Sequence, residues 1–365
     1  MSKSILINLS MVFHRPTGIA TYALNVARHL DALNPILLTP EAIADFASYN
    51  IPSNMTPADG TKGHLRRLWW TQWQLPKLYR KLKASLIYSP IPEAPLYSGC
   101  PYVVMCHDLI PLRFPRGTSP LTNYFRAIVP LVLHQAEHII CNSEATARDL
   151  VDFYGIAPQK ISPVLLAYDN THFYPRSLDR NIANVDLDCP YFLYLGRHDP
   201  YKNVSGLISA FAKMPYSQDY RLYLAGAEDP RFTPKLKQQA AELGLGDRVF
   251  FLDYVSYEDL PLLLSRAIAL VFPTFWEGFG LPVLEAMACG TPVITSNLAS
   301  LPEVTGDAAV LVNPYSTKEI TQAMEYLATD SIARSQLSQL SLKRAELFSW
   351  KKTGAQTQAI LQRYC

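Results

Sequence analysis

The sequence predicts an α/β protein built from two Rossmann-like domains that face each other. Short β-rich runs alternate with amphipathic segments along the whole chain, and such alternation produces parallel sheets covered by helices. The alternation restarts after Cys189, behind a polar, irregular stretch at 174–190 that is typical of a linker. A length of 365 residues also exceeds what one ordinary hydrophobic core accommodates, which favours two domains.

Each predicted strand is an apolar run that ends at a polar or turn-forming residue. In a first domain at 1–173 these runs lie at 4–10, 85–90, 101–108 and 137–143, with a helix at 18–30. In a second domain at 190–348 they lie at 191–197, 220–227, 248–255, 267–274 and 292–297, with helices near 204–213 and 233–243 and one starting at Pro282.

Composition excludes several classes of protein. The formal net charge of +2 disfavours bulk nucleic-acid binding, and 49% hydrophobic residues are ample for two cores. Six scattered cysteines without a paired spacing are typical of free thiols in a reducing compartment. No apolar run is long enough for a membrane span, and the N-terminus leads straight into a strand. These features predict a cytoplasmic protein.

Ligands of open parallel sheets bind beyond the carboxyl ends of the strands. Arg197 and Lys202 follow the first strand of the second domain in "LYLGRHDPYKN". A guanidinium fork and an ammonium group at this place would suit a pyrophosphate. Taken alone, the same pair is better explained as two ordinary cations of a solvated loop.

The stretch "PTFWEGFGLPVLEAMACGTP" at 273–292 changes that balance. Pro282 suits the first position of a helix, whose N-terminal amides attract phosphate, and Gly280 lets the backbone approach a ligand closely. Glu277 precedes the turn, and Glu285 was expected on the first helical turn, where it would accept hydrogen bonds from ribose hydroxyls. The competing interpretation is that Glu285 only complements the helix dipole, which is worth about 0.3–1 kcal/mol. Two glutamates on either side of a diphosphate predict a nucleotide sugar as ligand.

The motif "EGFGLPVLEA" resembles the E-x7-E motif of retaining GT-B glycosyltransferases. Together with "LGRHDPYKN", "CHD" and "CNSEAT", it makes the chain similar to glycosyltransferase family 4 over nearly its whole length, from "PTGIATY" to "FSWKKTGAQT". The resemblance implies the GT-B fold, with a donor cleft between the two domains and a C-terminal helix at about 350–365 that completes the first domain.

The resemblance also implies a role for each matching residue. Arg197 and Lys202 would hold the diphosphate, and Glu285 would hold the ribose. Glu277 and the backbone of Phe279, Gly280 and Leu281 would hold the transferred hexose. The backbone at Val255 would border the base, Gly18 would close over the phosphates, and His107 would contact the donor sugar near the reacting carbon. His107 and Glu277 are therefore the catalytic candidates.

The resemblance implies hexosyl transfer with retention of configuration, helped by electrostatic stabilisation of the departing diphosphate. UDP-glucose is the first candidate donor, GDP-mannose is the alternative, and the acceptor is a saccharide or lipid-linked saccharide of polysaccharide biosynthesis. A nucleotide-sugar epimerase and a non-catalytic nucleotide-sugar-binding protein remain as other classes. A dinucleotide-dependent oxidoreductase is disfavoured because no G-x-G-x-x-G follows the first strand.

The loop after the first strand departs from the family pattern. Many members carry two or three glycines there, whereas "RPTGI" has only Gly18. Its phosphate role is retained as a prediction, and the neighbouring His14 and Arg15 are candidates to reach the acceptor.

Two short motifs superficially indicate a metal. "HQAEH" at 134–138 matches an inverted zinc-protease pattern, but Glu137 and His138 are predicted at a helix-to-strand turn and no third ligand is evident. "DLD" at 186–188 falls in the predicted linker. We therefore expect no metal and no cofactor other than the sugar nucleotide itself.

The segment 64–83 is basic and rich in tryptophan. Residues 62–83 contain seven lysines and arginines, no acidic residue and three of the five tryptophans. Such a segment can lie on an anionic membrane surface, here the inner membrane face. Alternatively, it is a helix that packs its tryptophans on the first sheet and is broken or kinked at Pro76. The sequence leaves both interpretations open.

Overall fold

The computed structural model describes residues 4–11, 18–43, 46–56, 59–117, 119–177, 181–182, 185–253 and 255–365. The chain divides into two compact units, 1–166 with 350–365, and 167–349. Each unit is a parallel sheet accompanied by helices, which confirms the predicted fold class. No helix in the described ranges combines the length and the apolar character needed to cross a bilayer.

The first unit contains, in its described part, a parallel sheet in the order β3-β2-β1-β4-β5-β6-β7. Its strands are β1 (Ile5–Asn8), β2 (Pro35–Thr39), β3 (Ala47–Asn50), β4 (Leu86–Ser89), β5 (Tyr102–Cys106), β6 (His138–Cys141) and β7 (Ile161–Pro163). Its helices are α1 (Gly18–Ala27), α2 (Gly60–Lys81), α3 (Ile110–Arg113), α4 (Pro120–Ala127), α5 (Val129–Gln135) and α6 (Glu144–Tyr154).

The second unit contains, again in its described part, a parallel sheet in the order β10-β9-β8-β11-β12-β13. Its strands are β8 (Tyr191–Leu195), β9 (Arg221–Ala225), β10 (Val249–Leu252), β11 (Ala269–Phe272), β12 (Val293–Ser296) and β13 (Val310–Val312). Its helices are α7 (Val204–Ala212), α8 (Thr233–Glu242), α9 (Leu260–Arg266), α10 (Leu281–Ala288), α11 (Leu301–Thr305), α12 (Thr317–Thr329) and α13 (Ser331–Ala345).

The last helix, α14 (Trp350–Leu361), is part of the first unit. The Thr353 hydroxyl donates to the carbonyl of Leu165 at 2.8 Å, and the ring of Trp350 contacts Tyr22 on α1. These contacts join the end of the chain to the unit that contains its beginning.

All nine strands that the apolar runs predict are present. Four further strands, β2, β3, β7 and β13, were not predicted. β3 and β7 are the outer strands of the first sheet and β13 is an outer strand of the second. Their burial is incomplete, so their apolar patterns are weak, and pairing with a neighbouring strand decides their conformation.

The stretch 174–190, predicted to be a linker, contacts the rest of the second unit at several of its described residues. The amide of Arg176 donates to the Ser265 hydroxyl at 3.0 Å, and Asp186 forms an ion pair with Arg221 at 2.7 Å. Leu187 is buried. The polar composition of this stretch did not indicate these tertiary contacts.

Proline 76 lies inside α2 without ending it, which corrects the expectation of a break. A proline in a helix interior removes one backbone hydrogen bond and crowds the preceding turn. Here Pro76 is on the buried face of α2 with Trp70 and Leu75, both of which belong to the core of the first unit. Burial of this face offsets the local cost, because tertiary packing supplies most of the stability of a helix.

Candidate functional site

The site in the second unit is built where β8 and β11 end. Asn203 has a left-handed backbone (φ 58°) and starts α7. Its side-chain amide donates to the carbonyls of Pro273 at 3.1 Å and Pro314 at 2.7 Å, which follow β11 and β13. The Thr274 hydroxyl donates to the Tyr201 carbonyl at 3.0 Å. These bonds join the loop after β8 to the loop after β11.

That junction brings Lys202 to Glu277. The ammonium nitrogen Nζ lies 2.5 Å from Oε1 of the glutamate, and the two side chains are only 13% and 11% exposed. The ammonium group also lies 5.2 Å from the centre of the Phe272 ring. The two residues are 75 positions apart in the chain, so the pair exists only because parallel strands end at one edge of the sheet. A shielded cation is thereby held by a carboxylate that has a second oxygen left for another partner.

The turn between Glu277 and α10 is held from behind by Ser300. Its hydroxyl lies 2.9 Å from the carbonyls of Glu277 and Phe279. Gly280 caps the helix with φ 99°, a conformation that favours glycine, and Leu281 is the first helical residue. Pro282 therefore occupies the second position of α10, one later than expected. The amides of the first turn point towards this end of the helix, where the dipole favours an anion.

Glu285 lies on the second turn of α10, not on the first as expected. Burial raises the pKa of its carboxyl to about 8. In the part of the chain that the structure describes, its side chain has neither a hydrogen bond nor an ion pair. A partly buried carboxylate without a protein partner is suited to accept hydrogen bonds from a ligand, because these would compensate its lost hydration.

Arg197 sits directly after β8 and Gly196. Its guanidinium contacts the buried carboxylate of Asp199 at 2.7 Å, while most of its own side chain is in solvent. The buried hydroxyl of Tyr194 donates to the carbonyl of Arg197 at 2.6 Å and fixes the backbone there. The Arg197 side chain is thus tethered at its base and accessible at its tip.

Gly226, which the sequence analysis did not single out, stands after β9 as Gly196 stands after β8. A Cβ atom on Gly226 would lie 2.0 Å from the carbonyl oxygen of Gly196 and 3.6 Å from the amide nitrogen of Arg197. Both glycines have positive φ, 155° and 153°. Two consecutive strand ends therefore approach each other so closely that only glycine fits.

Alanine at position 226 is expected to lower the free energy of unfolding by about 1–3 kcal/mol, the cost of overpacking a tight site. It should also displace the backbone that carries Arg197. Thermal unfolding and nucleoside diphosphate binding measure the two effects. Gly246→Ala is the matched control, since a Cβ there meets nothing within 4 Å, and it should change stability by less than about 0.5 kcal/mol. Equal effects of the two substitutions would contradict the close approach.

The sequence offered only weak signals for the supporting residues Asn203, Thr274, Ser300 and Gly226. Asparagine, threonine and serine after strands are common in loops of every kind, and their partners lie 21–111 positions away. One signal in the sequence could have been used: a glycine follows directly after each of two consecutive strands, Gly196 after β8 and Gly226 after β9. Val255, the predicted neighbour of the base, follows β10 by three positions and is partly exposed.

In the first unit, His107 follows β5. Its Nε2 lies 3.0 Å from the carbonyl oxygen of Pro90, so Nε2 carries the proton and donates. The edge of the ring packs against Tyr22 at 5.1 Å between ring centres. Burial lowers the pKa of His107 to about 4, and the imidazole is therefore neutral at pH 7. A neutral, oriented ring acts by hydrogen bonding and contact, and not as a strong acid.

The buried polar side chains below His107 hold this region in place. The hydroxyl of Thr146 donates to Oδ1 of Asn142 at 3.0 Å, and Ser143 caps α6 by accepting from the amide of Thr146. Arg113 donates to the buried Asp149 at 2.9 Å. Gly18, the predicted phosphate neighbour, is the exposed first residue of α1. His14 and Arg15 lie outside the described residues.

In the described residues, the fold does not assemble either of the two metal-like motifs into a metal site. His134 lies on α5, whereas His138 begins β6 and contacts the Ser162 hydroxyl at 2.8 Å. Asp186 of "DLD" is paired with Arg221. Within the described ranges, no three His, Cys, Asp or Glu side chains are grouped as a metal site.

The structure therefore groups the predicted residues in two sets. Lys202, Glu277, Arg197, the start of α10 and Glu285 belong to one sheet edge of the second unit. His107 and Gly18 belong to the first unit. The first of these sets combines a cationic loop, a helix N-terminus and two carboxylates, which together suit a phosphorylated ligand bearing hydroxyls.

Comparison with protein families gives two matches that together span most of the chain. Residues 16–169 match the family described as "Glycosyltransferase Family 4". Residues 175–344 match the family described as "Glycosyl transferases group 1". The two matches fall largely on the first and second compact units, respectively.

Among curated relatives, "O-antigen chain mannosyltransferase B" of Escherichia coli is 38% identical over 170 residues, which are 46% of this chain and 44% of that protein. The aligned part thus spans less than half of this relative. "O-antigen chain mannosyltransferase RfbU" of Salmonella typhimurium is 27% identical over 345 residues, covering 90% of this chain and 93% of the relative. A solved sucrose-phosphate synthase from Thermosynechococcus elongatus shares the fold, with a TM-score of 0.75, 21% identity and coverage of 99% and 98%.

Proposed function

Since the chain belongs to the family 4 type of glycosyltransferases with a GT-B fold, we propose that it is a hexosyltransferase that uses a nucleotide sugar and a saccharide acceptor. The observation that carries the proposal is the shielded Lys202–Glu277 pair beside the N-terminus of α10. It offers a fixed cation for a diphosphate and a carboxylate for sugar hydroxyls within one local structure.

In this proposal Lys202, Arg197 and the amides at the start of α10 bind the departing diphosphate. All three are in place before the reaction, so that little reorganisation accompanies the developing negative charge. The free oxygen of Glu277 accepts a hydrogen bond from a hydroxyl of the hexose, and Glu285 accepts hydrogen bonds from the ribose hydroxyls. For the neutral His107 of the first unit, a contact with the donor sugar remains a prediction from the family resemblance. None of these roles requires a metal ion.

The names of the relatives favour mannose as the transferred sugar. Both curated relatives described above are O-antigen chain mannosyltransferases. We therefore propose GDP-mannose as the donor and a polysaccharide or lipid-linked saccharide as the acceptor. UDP-glucose, the first candidate from sequence, is the second arm of the test. Retention of anomeric configuration is also proposed, on the basis of the E-x7-E motif.

The deciding experiment is a panel of nucleotide sugars incubated with the protein, with and without saccharide acceptors, and with the released nucleotide measured. We expect release from GDP-mannose to exceed release from UDP-glucose, and Glu277→Ala to abolish it. Faster release from UDP-glucose would overturn the mannose assignment. No release from any donor with any acceptor would overturn the proposal that the protein is an enzyme and would favour a non-catalytic nucleotide-sugar-binding protein.

Two further readouts complete the test. The anomeric configuration of the product, measured by NMR, distinguishes retention from inversion. Activity after exhaustive treatment with a chelator should be unchanged, and a loss that Mg²⁺ restores would contradict metal independence.

A further inference from the structure

Helix α2 presents two opposite faces. Its buried face contains Arg67, Trp70 and Leu75. Trp70 is only 5% exposed, whereas Trp69 and Trp73 are 58% and 61% exposed. The structure therefore divides the tryptophans, which the sequence could not do. One is in the core and two are in solvent.

The exposed face is a continuous stripe. At 3.6 residues per turn, the residues at 62, 65, 66, 69, 73, 77 and 80 fall within about 120° of the helix circumference. All of them are exposed. We call this stripe the Trp69–Trp73 face; its members are Lys62, Leu65, Arg66, Trp69, Trp73, Lys77 and Arg80.

The charge of this face is of one sign. Arg67, the basic residue on the buried side, is neutralised by Glu93, to which it donates at 2.7 and 2.8 Å. Lys62, Arg66, Lys77 and Arg80 remain at the surface, and residues 60–83 contain no acidic side chain. Cations thus lie on both sides of the two central indoles along the helix axis.

The neighbouring loop adds a further aromatic ring. The guanidinium of Arg80 donates to the carbonyl of Ser98 at 3.0 Å, which places the loop at 96–98 beside the C-terminal part of α2. Tyr97 in this loop is among the most exposed large side chains of the described chain. Its amide donates to Gln135 at 2.9 Å, which fixes the loop.

We infer that the Trp69–Trp73 face binds the surface of a bilayer containing anionic lipid. Indole rings prefer the boundary between headgroups and acyl chains, and lysines and arginines on either side bind anionic headgroups. The face runs along a helix of 22 residues, about 33 Å long, so that its indoles and cations can contact one lipid surface together. The inference does not depend on the proposed function, since binding is measured without donor or acceptor.

The test is co-sedimentation of the full-length protein with vesicles of phosphatidylcholine and phosphatidylglycerol in equal parts, at low and high salt. Binding is expected at low salt and should fall as salt rises. The double substitution Trp69→Ala with Trp73→Ala should lower the partition coefficient by at least about tenfold. Lys62→Gln with Lys77→Gln should lower it roughly 30-fold, from a contribution of about 1 kcal/mol per basic residue.

The matched controls lie on exposed positions of the second unit. Tyr326→Ala with Ile332→Ala removes similar exposed apolar surface, and Lys213→Gln with Lys318→Gln removes two exposed charges. Neither should alter vesicle binding. Circular dichroism and thermal unfolding verify that each variant is folded, and the charge variants provide a second test should the tryptophan variant be unstable.

Three results would overturn the inference. The first is no binding to anionic vesicles at low salt, and the second is equal binding by the tryptophan variant and the wild type. The third is self-association without lipid that Trp69→Ala with Trp73→Ala abolishes, since the face would then be an interface between copies of the chain.

Discussion

Replacing Lys202 with methionine is expected to slow nucleotide release from the sugar donor by roughly 10²–10³-fold, the usual effect of removing one preorganised group that stabilises developing charge. Methionine keeps most of the aliphatic stem of lysine and removes the ammonium group that lies over the Phe272 ring. Because that charge is proposed to stabilise the departing diphosphate, the loss of activity should appear in kcat. Steady-state kinetics with the preferred donor measures it.

Glu277→Gln and the double variant complete a thermodynamic cycle. If Lys202 and Glu277 act as a unit, the double variant should lose no more activity than either single variant. Lys202→Met leaves the shielded Glu277 carboxylate without its ammonium partner and should be less stable than the double variant by a few kcal/mol. Lys213→Met, at an exposed position, is the control and should be unchanged. Additive activity losses would show that the pair does not function together.

Glu285→Gln is expected to change how both stability and nucleotide binding depend on pH. The carboxyl has a pKa of about 8 in the folded protein and about 4.5 when unfolded. Between these values the native state binds more protons than the unfolded state, so stability falls as pH rises from about 4.5 to about 8 and then levels. Glutamine removes this contribution. The variant should gain stability relative to the wild type across that window, as thermal unfolding at several pH values would reveal.

The same ionisation should appear in ligand binding. Ribose hydroxyls that donate to Glu285 favour its carboxylate, so a nucleoside diphosphate should release protons when it binds between about pH 6 and pH 8. Affinity should then rise with pH by up to about tenfold per unit, and Glu285→Gln should lose this dependence. Calorimetry in buffers of different ionisation enthalpy measures the proton release. Glu242→Gln, exposed on α8, serves as control, and unchanged proton release in Glu285→Gln would contradict the assignment.

Strands were predicted correctly from sequence where a continuous apolar run is buried on both faces of a sheet. Strands β1, β5 and β11 are buried over their whole length, and such apolar runs are recognisable without tertiary information. Strand β2 was missed although it is an inner strand and largely buried. The positions of Arg197, Lys202, Glu277 and Glu285 at strand ends or on α10 follow from those runs. The edge strand β3 was missed because its residues are exposed or only half-buried and form no apolar run.

The limits of prediction are clearest where two distant segments meet. The sequence contains Lys202 and Glu277 but not their contact, which depends on Asn203 and Thr274 holding two loops together. Helix α10 begins one residue earlier than predicted, at Leu281, because the left-handed Gly280 caps it there. Glu285 therefore lies on the second turn and not on the first.

By itself, the sequence determined the α/β class, nine of the thirteen described strands and the family, because apolar periodicity and motif order are local properties of the chain. Only the tertiary structure decided which groups are shielded, paired or exposed. It leaves the partly buried Glu285 without a protein partner, brings Gly226 against Gly196, buries Trp70 and leaves Trp69 and Trp73 in solvent. The physical reason is that burial and pairing arise from neighbours far apart in the chain, and these neighbours set the pKa values, the close approaches and the free surfaces.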